Sequence, residues 1–196
     1  NTLWTWGIGT NGATGIGFTT NRSSPTQVTT VVGNWSQVYA SEFATFGFGK
    51  LTDNTLYAWG INTNYTLGIG DTLNRSNPVQ VLGGTNSWNN VSAGLSHTLG
   101  VGSDNKLYVW GTDAVNYYGT IPYTAQPFSW KQISVGNSHT MAIRSDNLLF
   151  GWGLNSGGQL GTGLTTNRSS PIQIGTSTWN TVSAGNSFTY AVRSDN

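Results

Sequence analysis

The stretch WNNVSAGLSHTLGVGSDNKLYVWG, residues 88–111, decides the fold, because related phrases occur at three other places in the chain. It opens on a tryptophan, passes through a polar Asp-Asn pair and ends on Trp-Gly. The equivalent opening residues are Trp35, Trp130 and Trp179, and the Trp-Gly pairs begin at Trp6, Trp59, Trp110 and Trp152. Self-similarity at a period of about 50 residues predicts a protein built from structural repeats.

Each repeat predicts four short β-strands. The segments W-x-x-V-S-A-G and H-T-x-A-V give the first two, and the second alternates in period 2, as half-buried strands do. The Asp-Asn pair between the second and third strands predicts a two-residue hairpin turn. A third strand ends on Trp-Gly, and a glycine-rich loop leads to a fourth strand of the form P-x-Q-V. No segment has the helical period of 3.6 residues.

Four strands in a unit of about 50 residues are typical of a β-propeller blade. We therefore predict an all-β chain, a single propeller domain over residues 1–196, made of four-stranded blades. About four units are present, near residues 1–54, 55–105, 106–147 and 148–196. The first unit begins with an outer strand pair and the last ends with an inner pair. One blade is thus expected to be made from both termini or to be completed by a neighbouring segment or subunit.

The composition excludes several classes of function. Charged residues are 8% of the chain and the net charge is +1, so nothing favours nucleic acid or an anionic membrane as partner. Cysteine is absent, which excludes disulfides and thiolate metal sites. No apolar run reaches the length of a membrane span, and no signal peptide opens this chain. A neutral polar composition rich in Thr and Asn favours an extracellular or virion protein.

Two phrases carry a family resemblance. WGLNSGGQLGTG (152–163) and SVGNSHTMAI (134–143) resemble the repeats of the regulator of chromosome condensation family, and the resemblance covers nearly the whole chain. It implies a β-propeller, usually of seven blades, whereas this chain has four units. For nucleotide exchange on a small GTPase or for chromatin binding, it implies a loop that wedges into the GTPase and a basic tail. The sequence contains neither feature.

His139 raises the question of catalysis, because it stands beside Ser138 and has Asp146 seven residues further on. The counterparts of His139 in the other units are His97, Phe188 and Ala44. A position that accepts Phe is a packing position, so we predict no catalytic or metal site here and no cofactor. The glycine run at 157–163 lacks the Lys-Ser/Thr of a phosphate-binding loop and the helix that follows it.

Departures from the repeat predict where a partner binds. The third unit replaces the NRSSP phrase by a shorter loop with Tyr117, Tyr118 and Tyr123, which can offer contact area to a protein or a sugar. The alternative is that these rings fill the gap left by the shortened loop. Glu42 and Phe43 form the second departure, in a segment with two added residues.

Arg22, Arg75 and Arg168 recur in the NRS phrase. They predict either structural bonds to neighbouring carbonyl or carboxylate groups, or a set of guanidinium groups that contacts an anion or a glycan.

These patterns predict a non-enzymatic binding or structural propeller that contacts proteins or glycans. We expect it in a virion, as in a phage tail fibre, or as a bacterial surface or secreted protein. The alternatives are a secreted enzyme inhibitor and a guanine nucleotide exchange or chromatin-binding propeller. Glycoside hydrolysis is disfavoured, because it needs two positioned carboxylates and four of the seven acidic residues are turn aspartates. Self-association that completes the propeller is a further expectation, with no nucleic acid and no membrane span.

Overall fold

The computed structural model describes residues 1–41, 45–83, 85, 87–112, 115–126 and 128–194, without the side chains of 117, 120, 121 and 123–126. The elements are β1 (Trp4–Gly7), a 3-10 turn (Thr10–Gly12), β2 (Arg22–Gln27), β3 (Trp35–Ala40), β4 (Phe46–Leu51), β5 (Leu56–Gly60), β6 (Arg75–Gln80), β7 (Trp88–Ala93), β8 (His97–Gly102), β9 (Leu107–Thr112), β10 (Tyr117–Gln126), β11 (Trp130–Val135), β12 (His139–Arg144), β13 (Leu148–Gly153), β14 (Arg168–Ala184) and β15 (Thr189–Arg193). The predicted all-β class is confirmed.

Consecutive strands pair antiparallel into four-stranded blades. Blade 1 is β3–β6 and blade 2 is β7–β10, while blade 3 is β11–β13 with the first part of β14. The 17-residue β14 then runs on into the inner position of the next unit, where it pairs with β15. The strands β1 and β2 form a two-stranded sheet of their own. Each complete blade therefore takes two strands from each of two adjacent sequence repeats, and the predicted propeller architecture is confirmed.

The chain forms an open arc. Three complete blades are flanked by an N-terminal half-blade (β1 and β2) and a C-terminal half-blade (the end of β14, with β15). Among the described strands, β1 is not hydrogen-bonded to β15, so the two termini do not build a common blade within one chain. This corrects the first of the two completions expected from sequence. Large rings such as Trp110 are buried in the core between adjacent blades.

The Asp-Asn turns are three-residue loops, one residue longer than predicted. In the first, Asn54 N donates to Leu51 O, and Leu51 N donates to Thr55 O. Asn54 has φ +67°, so a left-handed residue ends the loop, as is common in three-residue hairpin loops. The Asp53 carboxylate lies in the middle of the loop and accepts a hydrogen bond from Thr55 N at 2.9 Å. The asparagines in the equivalent position have φ +60° and +68° and are Asn105 and Asn147.

The same turns tie each blade to the next. The backbone carbonyl of each turn asparagine accepts a hydrogen bond from the amide of the tryptophan that opens the following blade. The pairs are Trp88 N to Asn54 O at 3.0 Å, Trp130 N to Asn105 O at 2.9 Å and Trp179 N to Asn147 O at 2.8 Å. Inner strands are further joined through serines, for example Ala184 N to Ser134 Oγ at 2.9 Å. The blade spacing is thus set by backbone hydrogen bonds as well as by side-chain packing.

The tryptophans of two Trp-Gly pairs, Trp59 and Trp110, each bind the preceding unit. Trp59 Nε1 donates to Ala13 O at 3.0 Å, and Trp110 Nε1 donates to Thr66 O at 2.8 Å. Each indole lies against a glycine: a Cβ on Gly68 would come within 2.9 Å of Trp110 Nε1. Glycine is required at such a position, because only its bare Cα lets the ring approach so closely.

Candidate binding surface

Both histidines are buried inter-blade residues. His139 Nε2 lies 3.1 Å from Thr189 Oγ1, and that hydroxyl donates its single hydrogen to Gln159 O at 2.8 Å. His139 Nε2 is therefore the donor in the first of these bonds. Burial lowers the pKa of His139 to about 4, so the ring is neutral at pH 7. His97 makes the equivalent contact with Thr140 Oγ1 at 3.1 Å, which supports the packing role predicted for this position.

The residues around His139 do not form a triad. Asp146 binds Arg144 at 2.6 Å, at the opposite end of β12 and about 17 Å away along the strand. Within the part of the chain that the structure describes, no three His, Cys, Asp or Glu side chains gather where they could hold a metal ion. Over the same part, no helix has both the length and the apolarity needed to cross a membrane.

A buried asparagine organises the glycine-rich loop. Asn155 Oδ1 accepts Leu160 N at 2.9 Å, and Asn155 Nδ2 donates to Leu164 O and Thr166 O at 2.9 and 3.0 Å. The asparagine of the NRS phrase closes the loop from its other end, because Asn167 Oδ1 accepts Asn155 N at 2.8 Å. Sequence reasoning missed this role, although the signal is present as an asparagine three residues after the tryptophan in two units, at Asn62 and Asn155.

The three arginines stand at equivalent positions on different sheets, so they are spread along the arc and do not converge. Arg75 binds Asp71 at 2.5 Å and donates to Leu73 O at 2.9 Å, which is a structural role. The Arg22 guanidinium lies 5.5 Å from the centre of the Phe18 ring. Arg168 Nε is enclosed and finds no hydrogen-bond partner among the described residues. Contact with an anion or glycan remains a prediction for Arg22 and Arg168.

Tyr118 is a core residue, with 7% of its surface exposed. It packs with Trp130 and Trp152, and its ring centre is 5.9 Å from that of His97. Eight residues after its Trp-Gly tryptophan, Tyr118 takes the position that buried leucines hold in two other units, at Leu67 and Leu160. Its burial fits the alternative in which this ring fills the interface, since a docking residue would need exposure.

Tyr117 and Tyr123 lie on β10, the outer strand of blade 2, opposite Thr112 and Val109 on β9. Their side chains are outside the described part, as are residues Glu42 and Phe43 altogether, so their binding roles stay predictions. The backbone of β10 is nevertheless distinctive. It is ten residues long, with register shifts at three points, whereas β6 has six residues and one shift. The outer rim of blade 2 therefore differs in shape from its counterpart in blade 1.

Two polar recesses open between units. One, of about 470 Å³, is lined by Thr10, Asn11, Thr19, Asn74 and Ser76. The other lies between blades 2 and 3, measures about 280 Å³ and includes Asn89, Asn105 and Lys131. The lining of both is rich in hydroxyl and amide groups, which suits hydrogen-bonded contacts rather than burial of an apolar ligand.

Comparison with known families assigns these repeats. A family model described as the regulator of chromosome condensation (RCC1) repeat matches residues 53–101 and 146–192. A second model with the same description matches residues 88–119 and 130–159. Together the matches cover more than half of the chain. The chain belongs to the RCC1 repeat family. The resemblance inferred from the sequence phrases is confirmed.

Individual proteins match this chain over part of their own length. The Arabidopsis thaliana ultraviolet-B receptor UVR8 is 31% identical over 118 residues, which are 60% of this chain and 27% of that protein. Human WBSCR16 superimposes with a TM-score of 0.86 at 21% identity, over 99% of this chain and 54% of that one. Prp20p from Saccharomyces cerevisiae gives a TM-score of 0.81 at 18% identity, over 100% of this chain and 53% of that one. This chain spans about half the length of these two solved structures.

Proposed function

We propose that this chain is a non-enzymatic RCC1-type propeller whose function is to bind a protein partner. The observation that carries the proposal is the position of the reactive side chains. His97 and His139 are buried between blades, and Asp146 pairs with Arg144 beside a hairpin turn. Because these titratable side chains make structural contacts, we infer that the protein acts by binding a partner at its surface and not by catalysis. Prp20p, described together with its binding to Gsp1p and histones, supports a protein rather than a glycan as the partner class.

We assign the contact to the outer rim of blade 2, along β10. Its length and its three register shifts distinguish it from β6, so a partner can recognise a backbone shape that blade 1 does not share. Tyr117 and Tyr123 are the proposed anchors, because tyrosine combines apolar area with a hydrogen-bonding group and loses little conformational entropy on binding. Tyr118 has no part in the contact, since it is buried.

Site-specific photocrosslinking tests this rim. A benzophenone amino acid is introduced at position 117 or 123, and at the exposed Leu73 on blade 1 as a control. Adducts with one protein from positions 117 and 123, and none from 73, are expected. Tyr117→Ala and Tyr123→Ala then weaken binding of the purified partner by about 2 kcal/mol or more if the residues are hot spots. Equal adducts at all three positions, or a bound glycan on an array without any protein adduct, would contradict the proposal.

The proposed setting is a virion or bacterial surface, or a secreted form. The supporting observation is the composition, with 8% charged residues and no cysteine among 196 residues. Antibody labelling of intact particles or cells from the source organism tests this setting. Labelling only after lysis would contradict it. A secreted inhibitor would reveal itself in the crosslinking experiment through an enzyme as the captured protein.

Guanine nucleotide exchange is the second candidate function, supported by the binding of Prp20p to Gsp1p. Release of fluorescent GDP from purified Gsp1p, with and without this chain, separates it from the first candidate. We expect no acceleration, because the net charge of +1 and the polar recesses offer no feature specific for a GTPase. A faster release that Tyr123→Ala abolishes would replace passive binding by exchange as the function of the same rim.

A further inference from the structure

We infer that the polar recess between blades 2 and 3 receives the ammonium group of a lysine side chain from the protein partner. The inference deepens the proposed function, because it names a chemical group of the partner and a second point of contact. It rests on that function only for the source of the ammonium group, since a small probe tests the recess itself. Both blades that border the recess are complete, so its shape is set by residues inside the arc.

An ammonium group of the chain's own occupies the corresponding place between blades 1 and 2. Lys50 lies on β4 of blade 1, and only 7% of its surface is exposed. Its Nζ donates to two backbone carbonyls of β7 in blade 2, Trp88 O at 3.1 Å and Asn89 O at 3.2 Å. A buried charge requires hydrogen bonds of this kind. The interface between two blades can therefore hold a lysine side chain.

The backbone that receives Lys50 recurs in blade 3. Trp88 opens β7 and Trp130 opens β11, and the same register shift follows each tryptophan in its pairing with the next strand. Such a bulge places one extra residue on the first strand, which is Asn89 in blade 2 and Lys131 in blade 3. The carbonyls equivalent to those that bind Lys50 are thus Trp130 O and Lys131 O. No side chain in the described part of the chain donates to either of them.

Val101 leaves the corresponding place in blade 2 open. It precedes the residue that pairs with the opening tryptophan of its blade, as Lys50 does in blade 1. A valine side chain ends at its Cγ atoms, whereas Lys50 extends to its Nζ. Val101, Trp130 and Lys131 all line the recess of about 280 Å³. The recess therefore corresponds to the space that a lysine side chain fills one interface earlier.

A glutamine spans the next interface but has a shorter counterpart at this one. Gln132 of blade 3 donates through Nε2 to Val182 O at 3.0 Å, and its Oε1 accepts Val182 N at 3.3 Å. The equivalent residue of blade 2 is Asn90, which lines the recess and accepts Val91 N at 2.8 Å within its own strand. Neither a lysine nor a glutamine thus bridges blades 2 and 3 at this level.

An anion is the rival occupant, because Lys131 and the indole of Trp130 carry hydrogen-bond donors. Lys131 Nζ already donates to Asn147 Oδ1 at 2.9 Å within blade 3. Trp130 Nε1 is buried without an acceptor in the described part of the chain, but so is Trp179 Nε1 at the next interface. That property belongs to the repeat position and not to the recess. Asn89 donates through Nδ2 to the backbone of its own blade at 3.1 Å, which leaves its Oδ1 to accept from an ammonium group.

The lining of the recess favours a lysine of a protein over a free amine. It consists of asparagine, valine, tryptophan, lysine and serine, without a carboxylate. Neutral acceptors hold an ammonium group more weakly than a carboxylate does, so a second contact that raises the local concentration is needed. The proposed rim lies beside the recess, because Gln126 at the end of β10 pairs with Leu107, two residues after Asn105. A protein bound along β10 can supply the lysine.

Titration with a lysine analogue tests the recess without the partner. Nα-acetyl-lysine methylamide is added to the isotope-labelled chain at high millimolar concentration, and the NMR signals of the Trp130 indole and the Asn89 and Asn105 amides are followed. Saturable shifts are expected with this probe and none with the norleucine analogue, which has the same stem without the ammonium group. No response to the lysine analogue, an equal response to the norleucine analogue, or tighter binding of putrescine would overturn the inference.

Reciprocal substitutions exchange the residues that differ between the two interfaces. Val101→Lys introduces an ammonium group of the chain's own and is expected to weaken binding of the lysine analogue about tenfold or more. Lys50→Val empties the place between blades 1 and 2 and is expected to add a second binding site. Val192→Lys is the matched control, because it makes the same exchange at the equivalent, exposed position of β15. Unchanged binding by Val101→Lys, or equal weakening by Val192→Lys, would overturn the assignment.

The charge of Lys131 separates the two kinds of ligand in a chain with both interfaces intact. Lys131→Met keeps the aliphatic stem and removes a positive charge beside the recess, so the lysine analogue is expected to bind more tightly. Weaker binding of the lysine analogue, or binding of acetate that Lys131→Met abolishes, would identify an anion site and overturn the inference.

Crosslinking from positions 117 and 123 distinguishes failure of this inference from failure of the proposed function. Val101→Lys is expected to lower the yield of the partner adduct, since the recess is then filled. An unchanged yield would overturn the partner lysine as the occupant and leave the contact along β10 in place. Binding of the lysine analogue without any protein adduct would contradict the proposed function and, with it, the source of the ammonium group.

Discussion

Blade 2 and the two half-blades contain the same kinds of residue and differ in what covers them. In blade 2, Trp110 and Leu99 are fully enclosed between neighbouring blades. At the equivalent positions of the half-blades, Trp6 and Tyr190 are mostly exposed. Burial in this molecule is therefore supplied by the adjacent unit rather than by the unit itself. Substitutions in the complete blades should therefore lower the stability more than substitutions in the half-blades, as expected for repeats that interact mainly with their nearest neighbours.

The largest expected effect is loss of a tryptophan from a complete blade. Trp88 packs edge-on against Tyr108 and Trp110, with ring centres 5.4 and 5.6 Å apart. Trp88→Ala should lower the free energy of unfolding by about 3–5 kcal/mol, measured by denaturant titration, because it opens a cavity that rigid strands cannot fill. Trp130→Ala should cost a similar amount, since Trp130 is also buried.

The half-blade counterpart of this experiment uses Trp4, which is 49% exposed. Trp4→Ala should change the free energy of unfolding by no more than about 0.5 kcal/mol, as for other substitutions at the surface. A loss as large as that of Trp88→Ala would show that the half-blade is packed as tightly as a complete blade, and the comparison would fail.

Acid should weaken the complete blades through His139. Burial lowers the pKa of His139 from its ordinary value of 6.5 to about 4, so between these values the unfolded chain binds a proton that the folded chain does not. The contribution to stability is intact above pH 6.5 and is lost as the pH falls towards 4. Between pH 7 and pH 5 the loss should be about 2 kcal/mol.

Comparison of the unmodified chain with His139→Phe isolates this effect, because all other titrations cancel in the difference. The difference in unfolding free energy between the two proteins should shift in favour of the variant as the pH falls. A constant difference from pH 7 to pH 5 would show that His139 is not the titrating group.

At pH 7 the same substitution should be mild. Phe188 occupies the equivalent position in the C-terminal half-blade, so an aromatic ring fits the backbone there. His139→Phe gives up the bond to Thr189 Oγ1 and should cost within about 1.5 kcal/mol, with the fold and any partner binding preserved. Melting temperature and crosslinking yield measure both. Loss of all binding would show that His139 has a role other than packing.

Loss of a turn asparagine should have a similar effect along the arc, because the positive φ recurs at Asn54, Asn105 and Asn147. Asn105 and Asn147 have φ +60° and +68°, a region that alanine enters at a cost. Asn105→Ala and Asn147→Ala should each cost about 1–2 kcal/mol, while Asn→Gly at either position should cost less, because glycine enters this region freely. Thermal unfolding gives both values. Unequal costs at the two positions would indicate that even the turns depend on the adjacent blade.

The sequence predicted the features that repeat. Four strands per unit, the propeller and the packing role of His139 all followed from comparing units, because a position shared by units must serve a purpose that units share. His97, Phe188 and His139 occupy one position, and that observation alone indicated a scaffold residue. The turn length was wrong by one residue, since an Asp-Asn pair is compatible with loops of two or three residues.

Features set by one neighbour could not be predicted from a repeat pattern. Tyr118 stood out as a departure, and its burial becomes evident only once the loop is counted into register with Leu67. Lys50 is a second case. It is buried where blade 2 has Val101, and Lys50 Nζ donates to Trp88 O and Asn89 O at 3.1 and 3.2 Å. The sequence shows only a charged residue in an apolar position, and it does not indicate that two backbone carbonyls of the next blade accept its hydrogen bonds.

The offset between sequence repeat and blade has an evolutionary consequence. A repeat that runs from one Asp-Asn turn to the next encodes the outer half of one blade and the inner half of another. Duplication or deletion of whole repeats by unequal crossing-over therefore changes the number of blades and always leaves two ends of complementary shape. The number of blades can then change in steps of one repeat, while the pairing of each inner half with the outer half of the next repeat is kept.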